Sequence, residues 1–213
     1  MPKYDVITFD CYGTLVDWES GIRKAFREAA LNEIAALAAY AEIEPQVESE
    51  TYRPYREVLT ETAKRVAKRL GARLTNPAML ADSLPAWVPF ADTNPALERL
   101  RDAGLRLGIL SNVDDDLLAG TRKHFTVEFD LIITAQQVRS YKPGHTHFTT
   151  ARQRIGNGRW LHAAQSNLHD IVPTNALGID NAWINRRQQK ALPGGAPKYE
   201  FGDLTGLAGA MSA

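Results

Sequence analysis

The sequence predicts an α/β fold in which a mainly parallel sheet is interrupted by a long helical segment. Three observations support this class. An apolar run with strand composition stands near the start of the chain, and the stretch from about residue 18 to residue 90 keeps the apolar spacing of helices. From Leu105 onward strand-like and helix-like segments alternate, which is the pattern of parallel βαβ units.

The first strand is predicted between Tyr4 and Phe9, and Gly13 then releases the chain into a loop. Asp10 follows this strand directly. Its carboxylate is therefore expected at the open edge of the sheet, where α/β proteins bind ligands. The alternative is that Asp10 only caps a helix beginning near Trp18, and this motif alone does not separate the two interpretations.

The helical segment should contain several helices. Apolar spacing from Ile22 to Ala38 predicts the first, which Pro45 is expected to end or break. The second should run from about Tyr55 to Leu70, with Gly71 after its end. Two further helices, each with an Asn just before a Pro at its first position, are predicted at Pro77 to Leu84 and Pro95 to Ala103.

Three later apolar runs also lead into polar clusters. These are Leu105 to Leu110 before Ser111-Asn112, Phe129 to Ile133 before Tyr141-Lys142-Pro143, and Trp160 to Ala164 before the segment Gln165 to Asp170. Such strand-end positions are where α/β sheets gather the side chains that contact ligands.

Composition limits the classes of partner. The chain has 213 residues with 44% hydrophobic content, enough for one domain with an insertion or two small domains. Lys+Arg and Asp+Glu are equal at 25 each, so no global field favours nucleic acid or an anionic membrane. We therefore expect a small-molecule partner and no nucleic-acid or membrane partner. The composition is also compatible with a homodimer.

Cysteine usage and the start of the chain predict a cytoplasmic protein. Cys11 is the only cysteine, which excludes an internal disulfide. The first strand begins almost at once, which leaves no room for a signal peptide. The most apolar long stretch, Ala29 to Ala41, is too short for a bilayer and reads as a buried helix face.

The ordered set of motifs resembles the haloacid dehalogenase superfamily, and most closely its 2-haloacid dehalogenase branch. The matching pieces are Asp-x-Tyr-Gly-Thr from Asp10, Ser-Asn at 111, Tyr-Lys-Pro at 141, Ser-Asn-x-x-Asp from Ser166 and Trp-Ile-Asn-Arg at 183. The resemblance implies a Rossmann-like core with a mainly parallel sheet, formed by residues 1–17 and 91–213, and an inserted helical cap formed by residues 18–90. It also implies that Asp10 is the nucleophile in a hydrolase acting on carbon–halide bonds.

Two departures from the superfamily's phosphatases point to a metal-free dehalogenase. Those phosphatases carry an Asp two residues after the nucleophile, which protonates the leaving alkoxide. This chain has Tyr12 there, and a departing halide needs no proton. They also bind Mg²⁺ through a carboxylate at the position of Gln165, where a neutral amide suits a hard cation poorly. No metal and no cofactor are expected, although another carboxylate could replace the missing one.

The resemblance also suggests roles for the other strand-end residues. Lys142 would keep the nucleophile ionised, although most lysines in loops are simply solvated. Ser111 and the backbone N–H groups of Cys11 and Tyr12 would bind the substrate carboxylate. Ser111 and Asn112 could instead cap a helix from Asp115. The remaining assignments are Asn112 at the departing halide, Thr14 and Asn167 as supporting polar groups, and Asp170 as the group that orients or activates the hydrolytic water.

The chain departs from the 2-haloacid dehalogenases in its pocket. Those enzymes place a halide-binding arginine late in the first cap helix, and the segment 35–41 has none. Arg53 and Arg56 are the nearest substitutes. His169 replaces an aromatic residue and is a candidate pocket donor, though a structural role is equally compatible. The thiol of Cys11 suits loop packing better than chemistry.

Three functions follow from these residues. The first is a metal-free hydrolase that cleaves the carbon–halogen bond of a short 2-haloacid through an aspartyl ester. The second is a Mg²⁺-dependent phosphatase of the same fold. The third is a binding protein that keeps the scaffold without turnover.

Overall fold

The computed structural model describes residues 3–212, which form a six-stranded parallel sheet with helices on its faces. The strands lie in the order β3-β2-β1-β4-β5-β6, and every neighbouring pair is parallel. Their bounds are β1 Val6–Phe9, β2 Arg106–Ser111, β3 Leu131–Thr134, β4 Trp160–Ala164, β5 Asp180–Ile184 and β6 Tyr199–Phe201. The predicted α/β class with a mainly parallel sheet is confirmed.

Helices fill the chain between and after these strands. Their bounds are α1 Trp18–Glu28, α2 Glu33–Glu48, α3 Tyr55–Arg69, α4 Met79–Ser83, α5 Thr93–Asp102, α6 Asp115–Thr121, α7 Ala135–Val138, α8 Thr146–Ile155, α9 Val172–Ala176 and α10 Leu204–Met211. No named strand lies between residues 18 and 90, so the prediction that this segment is helical is confirmed. No helix within residues 3–212 combines the length and the apolar character needed to cross a bilayer.

The central strands are apolar because helices cover both faces of the sheet. Every residue of β1 and of β4 is buried, and β2 exposes only its first residue, Arg106. Fully buried parallel strands read as continuous apolar runs rather than as alternating ones. This is why the sequence marked these strands to within two residues.

The first predicted helix is wrong in two respects. The chain forms two helices there, because α1 ends at Glu28 and Ala30 takes a left-handed backbone conformation, with φ of 59°. Asn32 then starts α2, since its side-chain oxygen accepts the N–H groups of Ile34 and Ala35. Pro45 neither ends nor breaks α2, which continues to Glu48.

Of the other three helix predictions, one is confirmed and two are displaced along the chain. The helix expected from Tyr55 to Leu70 is confirmed, with Gly71 in the left-handed conformation after its end. The helices expected to begin at Pro77 and Pro95 are displaced. The side chain of Asn76 accepts the N–H of Ala78 in a turn before α4, and α5 begins two residues before Pro95.

Candidate active site

Lys142 joins two carboxylates at the carboxyl edge of the sheet. Its Nζ donates to Oδ1 of Asp10 at 3.0 Å, to Oδ1 of Asp170 at 2.6 Å and to the carbonyl of Leu110 at 2.9 Å. An ammonium group has three hydrogens, so all of its donors are used. The side chains of Lys142 and Asp170 are each 1% exposed and that of Asp10 is 11% exposed. The three residues, which are far apart in sequence, form one buried ion cluster.

Thr14 holds the second oxygen of Asp10. Its hydroxyl donates to Oδ2 of Asp10 at 3.0 Å, while the same hydroxyl oxygen accepts the backbone N–H of Gln165 at 2.8 Å. Both oxygens of Asp10 are therefore fixed by donors from separate elements. A carboxylate held in this way is oriented before any ligand arrives.

The surroundings move the pKa values of the two carboxyl groups apart. Burial raises the pKa of Asp10 above its ordinary value, and the Lys142 ammonium and the Thr14 hydroxyl oppose that rise. Burial also acts on Asp170, but Lys142 and His162 outweigh it and hold the pKa of that carboxyl well below its ordinary range. Burial would lower the pKa of Lys142, yet the two carboxylates outweigh it and raise that pKa.

Ser111 presents a hydroxyl group that suits an anion. It is the last residue of β2 and is 1% exposed, and its Oγ has no hydrogen-bond partner among residues 3–212. A buried hydroxyl without a partner is costly, so it marks a position where a ligand or water would bind.

The side chain of Asn112 hydrogen-bonds both the backbone of Lys142 and the side chain of Glu48. Its Oδ1 accepts the backbone N–H of Lys142 at 2.8 Å, and its Nδ2 donates to the carbonyl of Lys142 and to Oε1 of Glu48, both at 3.0 Å. The amide thereby fixes the lysine loop against α2. A donor for a halide would have to come from breaking one of these bonds.

The side chains of Cys11 and Tyr12, the two residues after Asp10, make their contacts elsewhere. The Cys11 side chain is part of the apolar core. The hydroxyl of Tyr12 hydrogen-bonds Thr121 Oγ1 at 2.9 Å, and its ring meets Trp87 edge-on. The phenol is thus committed elsewhere, and burial raises its pKa well above the ordinary value.

The two arginines suggested as halide ligands are engaged with carboxylates. Arg53 pairs with Glu50 at 2.6 Å. Arg56 pairs with Asp82 and with Asp116, at 3.4 and 2.7 Å, and its side chain is 42% exposed. Neither side chain lines the cavity that reaches Lys142, so the structure does not bring them to the site.

That cavity has a volume of about 440 Å³ and lies between the end of α2 and the loops after β3 and β4. Glu48, Tyr141, Lys142 and His169 line it together with Tyr52. His169 therefore reaches the cavity, and burial lowers the pKa of its imidazole. A neutral imidazole at this position can donate or accept a hydrogen bond.

Asn167 contacts a neighbouring loop rather than the cavity. Its Nδ2 donates to the carbonyl of Gly195 at 2.9 Å, and its Oδ1 accepts the N–H of Leu192 at 3.1 Å. It supports the loop between β5 and β6.

Sequence reasoning missed two residues of the site. His162 on β4 donates from Nε2 to Oδ1 of Asp170 at 2.9 Å, and it is fully buried. Glu48 contacts Asn112 from α2. Two signals for these residues were present in the sequence. One is a histidine inside an apolar strand, and the other is a Glu44/Glu48 pair one helical turn apart. Each places a polar group on a buried face.

Within residues 3–212 no group of three or more His, Cys, Asp or Glu side chains is arranged to hold a metal ion. The ammonium group of Lys142 occupies the space between the carboxylates of Asp10 and Asp170. The side-chain oxygen of Gln165 lies close to Gly13. The ammonium group thus already neutralises the two carboxylates that a divalent cation would need as ligands.

Comparisons with known proteins place the chain in a family. It is 30% identical over 199 residues to (S)-2-haloacid dehalogenase of Pseudomonas putida, covering 88% of this chain and 87% of that one. It is 27% identical over 206 residues to (S)-2-haloacid dehalogenase 4A of Burkholderia cepacia, covering 92% and 87%. Among solved structures, the L-2-haloacid dehalogenase RSc1362 superposes with a TM-score of 0.89 at 24% identity, covering 99% of each chain, and shares the fold. The haloacid dehalogenase-like hydrolase profile matches residues 4–164, and the chain therefore belongs to the haloacid dehalogenase-like hydrolases.

Proposed function

We propose that this protein hydrolyses the carbon–halogen bond of a short 2-haloacid through a covalent ester on Asp10, without a metal ion. The observation that carries the proposal is the buried ammonium of Lys142, which donates to the carboxylates of both Asp10 and Asp170. The relatives named (S)-2-haloacid dehalogenases support the choice of substrate class.

In the first step a carboxylate oxygen of Asp10 attacks the carbon that bears the halogen, and the halide leaves with the electron pair of that bond. Lys142 and Thr14 orient the attacking group. The hydroxyl of Ser111 and the backbone N–H groups of Cys11 and Tyr12 receive the carboxylate of the substrate. Covalent capture divides one difficult hydrolysis into two easier steps.

In the second step water attacks the carbonyl carbon of the Asp10 ester. Asp170 is ionised, because its pKa lies well below the ordinary range, and its carboxylate accepts a proton from that water. Lys142 and Thr14 already donate to the two oxygens of Asp10, so they can stabilise the negative charge that develops there.

The chemistry of the leaving group explains why neither a general acid nor a metal is required. A halide is a weak base and departs without a proton, whereas a phosphate ester releases an alkoxide that needs one. The phenol of Tyr12, at the position of the phosphatase acid, is bound to Thr121 and holds its proton tightly. Activity is therefore expected to survive EDTA.

The site fits a two-part enzyme. We assign residues 1–17 and 91–213 to the catalytic core and residues 18–90 to the cap, with residues 1, 2 and 213 outside the described part of the chain. The cavity between the end of α2 and the core loops supports this division. A small carboxylic acid remains the predicted partner, and the homodimer and the cytoplasmic location remain predictions.

Halide release tests the proposal directly. Both enantiomers of 2-chloropropionate are incubated with the protein in the presence of EDTA, and the free chloride is measured. We expect release with the wild-type protein and none with Asp10→Asn. Mg²⁺-dependent hydrolysis of p-nitrophenyl phosphate with no halide release would establish the phosphatase alternative, and no turnover of either substrate would favour a binding protein.

A further inference from the structure

A buried chain of hydrogen bonds runs across the sheet to Asp170. Trp160 Nε1 donates to Thr8 Oγ1 at 2.7 Å, and Thr8 Oγ1 lies 2.8 Å from His162 Nδ1. His162 Nε2 lies 2.9 Å from Asp170 Oδ1. All four side chains are buried, and the register of β1 against β4 places Thr8 opposite His162.

The carboxylate at the end of this chain determines the tautomer of the histidine. An ionised carboxylate can only accept, so His162 Nε2 carries the ring hydrogen and donates it to Oδ1 of Asp170. In this tautomer Nδ1 accepts from the Thr8 hydroxyl, whose oxygen in turn accepts the indole N–H of Trp160. The ring of Phe148 meets the imidazole edge-on, with centroids 5.3 Å apart, and holds its plane.

The result is an asymmetric carboxylate. Oδ1 of Asp170 accepts from both Lys142 and His162, whereas Oδ2 is buried and has no partner among residues 3–212. Two donors on one oxygen fix the orientation of the group. The other oxygen keeps its lone pairs for a further donor, which in a hydrolase is water.

We propose that His162 is a positioning residue for hydrolysis of the ester, holding Asp170 so that Oδ2 faces the attacking water. The inference rests on the proposed function. As the water oxygen bonds to the carbonyl carbon of the Asp10 ester, one water proton moves to Asp170 Oδ2. The bond from that carbon to the substrate oxygen then breaks, the alkoxide takes the proton from Asp170, and the second water proton leaves the regenerated Asp10 carboxyl to solvent.

This role separates the two chemical steps, because attack by Asp10 does not use His162. In a rapid-mixing experiment with 2-chloropropionate, His162→Leu should release a normal burst of chloride and then accumulate the Asp10 ester, detected by intact-protein mass after acid quench. Release of the 2-hydroxy acid should slow by about tenfold or more. His162→Gln, which keeps a side-chain N–H donor, should recover part of the rate.

A matched pair tests the remainder of the chain. Thr8→Val removes the hydroxyl that hydrogen-bonds Nδ1 and helps to hold the imidazole in place, and it should also slow ester hydrolysis more than ester formation. Thr62→Val is the control, since Thr62 is equally buried in α3 and its hydroxyl has no partner among the described residues. Equal slowing of both steps in His162→Leu and His162→Gln, without accumulated ester, would overturn the inference.

A spectroscopic readout is independent of the substrate. In ¹⁵N-labelled wild-type protein, Nε2 of the His162 ring should carry a proton, because it donates to the carboxylate of Asp170. An Nε2 without a proton would overturn the inference whatever the reaction. If wild-type protein forms no ester with any 2-haloacid, the proposed function fails and the positioning role of His162 fails with it. Normal turnover by the His162 variants would refute the positioning role alone.

Discussion

Lys142 is the residue on which the charge balance of the site depends. It is the cation of a buried cluster with two carboxylates, and its side chain is 1% exposed. The free energy that such a cluster contributes to folding is small in net terms, because burying each charge is costly. Removal of Lys142 alone is strongly destabilising, since the two carboxylates are then buried without their counterion.

Replacing Lys142 should therefore reduce both stability and turnover. Lys142→Met keeps the volume but leaves Asp10 and Asp170 uncompensated, which we expect to cost about 3–5 kcal/mol of unfolding free energy. Urea unfolding measures this cost, and halide release measures the loss of activity. Lys190→Met, at an exposed loop position, is the control. A stability equal to that of the control would contradict the charge balance described here.

Glu48 should give the protein a distinctive pH dependence of stability. Burial and the neighbouring Glu44 raise the pKa of Glu48 from 4.5 to about 9, against the opposing influence of Asn112 and Lys142; Asp10 adds to the rise. The folded protein thus keeps a proton that the unfolded chain releases at a lower pH. Stability from this group is complete below pH 4.5 and is lost as the pH rises towards about 9.

The variant Glu48→Gln should remove that dependence. Its thermal midpoint should fall less steeply than that of the wild-type protein between the two pKa values of Glu48, because an amide does not titrate. Differential scanning fluorimetry across this pH range measures the slopes. Parallel slopes for the two proteins would show that Glu48 does not hold its proton in the folded state.

At the scale of secondary-structure elements, two helix glycines have opposite surroundings. A Cβ atom on Gly21 in α1 would lie 2.4 Å from the ring of Trp87, whereas one on Gly209 in α10 would meet nothing closer than 3.9 Å. Alanine favours a helix interior over glycine by about 1 kcal/mol. We expect Gly209→Ala to stabilise the protein and Gly21→Ala to destabilise it, as measured by chemical unfolding. Stabilisation by both substitutions would mean that α1 does not pack against Trp87 as described.

The sequence predicted strands better than helix boundaries for a physical reason. Buried parallel strands are marked by local composition alone, as in Trp160–Ala164. The break between α1 and α2 depends on a left-handed Ala30 and on the cap at Asn32, which apolar spacing does not reveal. Pro45 lies in the last turn of α2 and is exposed, so the loss of its backbone hydrogen bond is tolerated there.

The site divides in the same way. The strand-end residues Asp10, Lys142 and Asp170 were predictable, because strand ends in a parallel sheet meet at one edge. The partners of Asn112 and the role of His162 were not, since they depend on which face of a strand or helix meets another. Contacts of that kind are set by tertiary packing, which one sequence does not specify.

For the molecule as a whole, one carboxylate joins the two predicted parts. Asp114, in the loop after β2, accepts the backbone N–H groups of Tyr55 and Arg56 at the start of α3, both at 2.9 Å. No side chain at the N-cap of α3 does so, because Pro54 occupies that position. A residue of the predicted core thereby caps a helix of the predicted cap segment.

Removal of the Asp114 carboxylate should loosen the start of α3 and its attachment to the loop after β2. Asp114→Ala should cost about 1–2 kcal/mol of unfolding free energy. It should also increase hydrogen exchange at the start of α3 more than at its end. Asp116→Ala is the matched control, because Asp116 lies on the surface and its ion pair is with the Arg56 side chain rather than with the backbone of α3. Equal exchange in both variants would contradict the role of Asp114.

The central claim is that Asp10 carries the covalent intermediate, and one isotope experiment tests it most directly. A single turnover of a 2-haloacid is carried out in H₂¹⁸O with excess enzyme, and the protein is digested with trypsin, which places Asp10 and Asp170 in different peptides because Arg23 and Arg159 are cleavage sites. Hydrolysis at the carbonyl carbon of the ester puts solvent oxygen into the enzyme first. We predict ¹⁸O in the peptide that contains Asp10 and none in the peptide that contains Asp170, with unlabelled 2-hydroxy acid. Label in the product alone would show that water attacks the substrate directly and would contradict the covalent route.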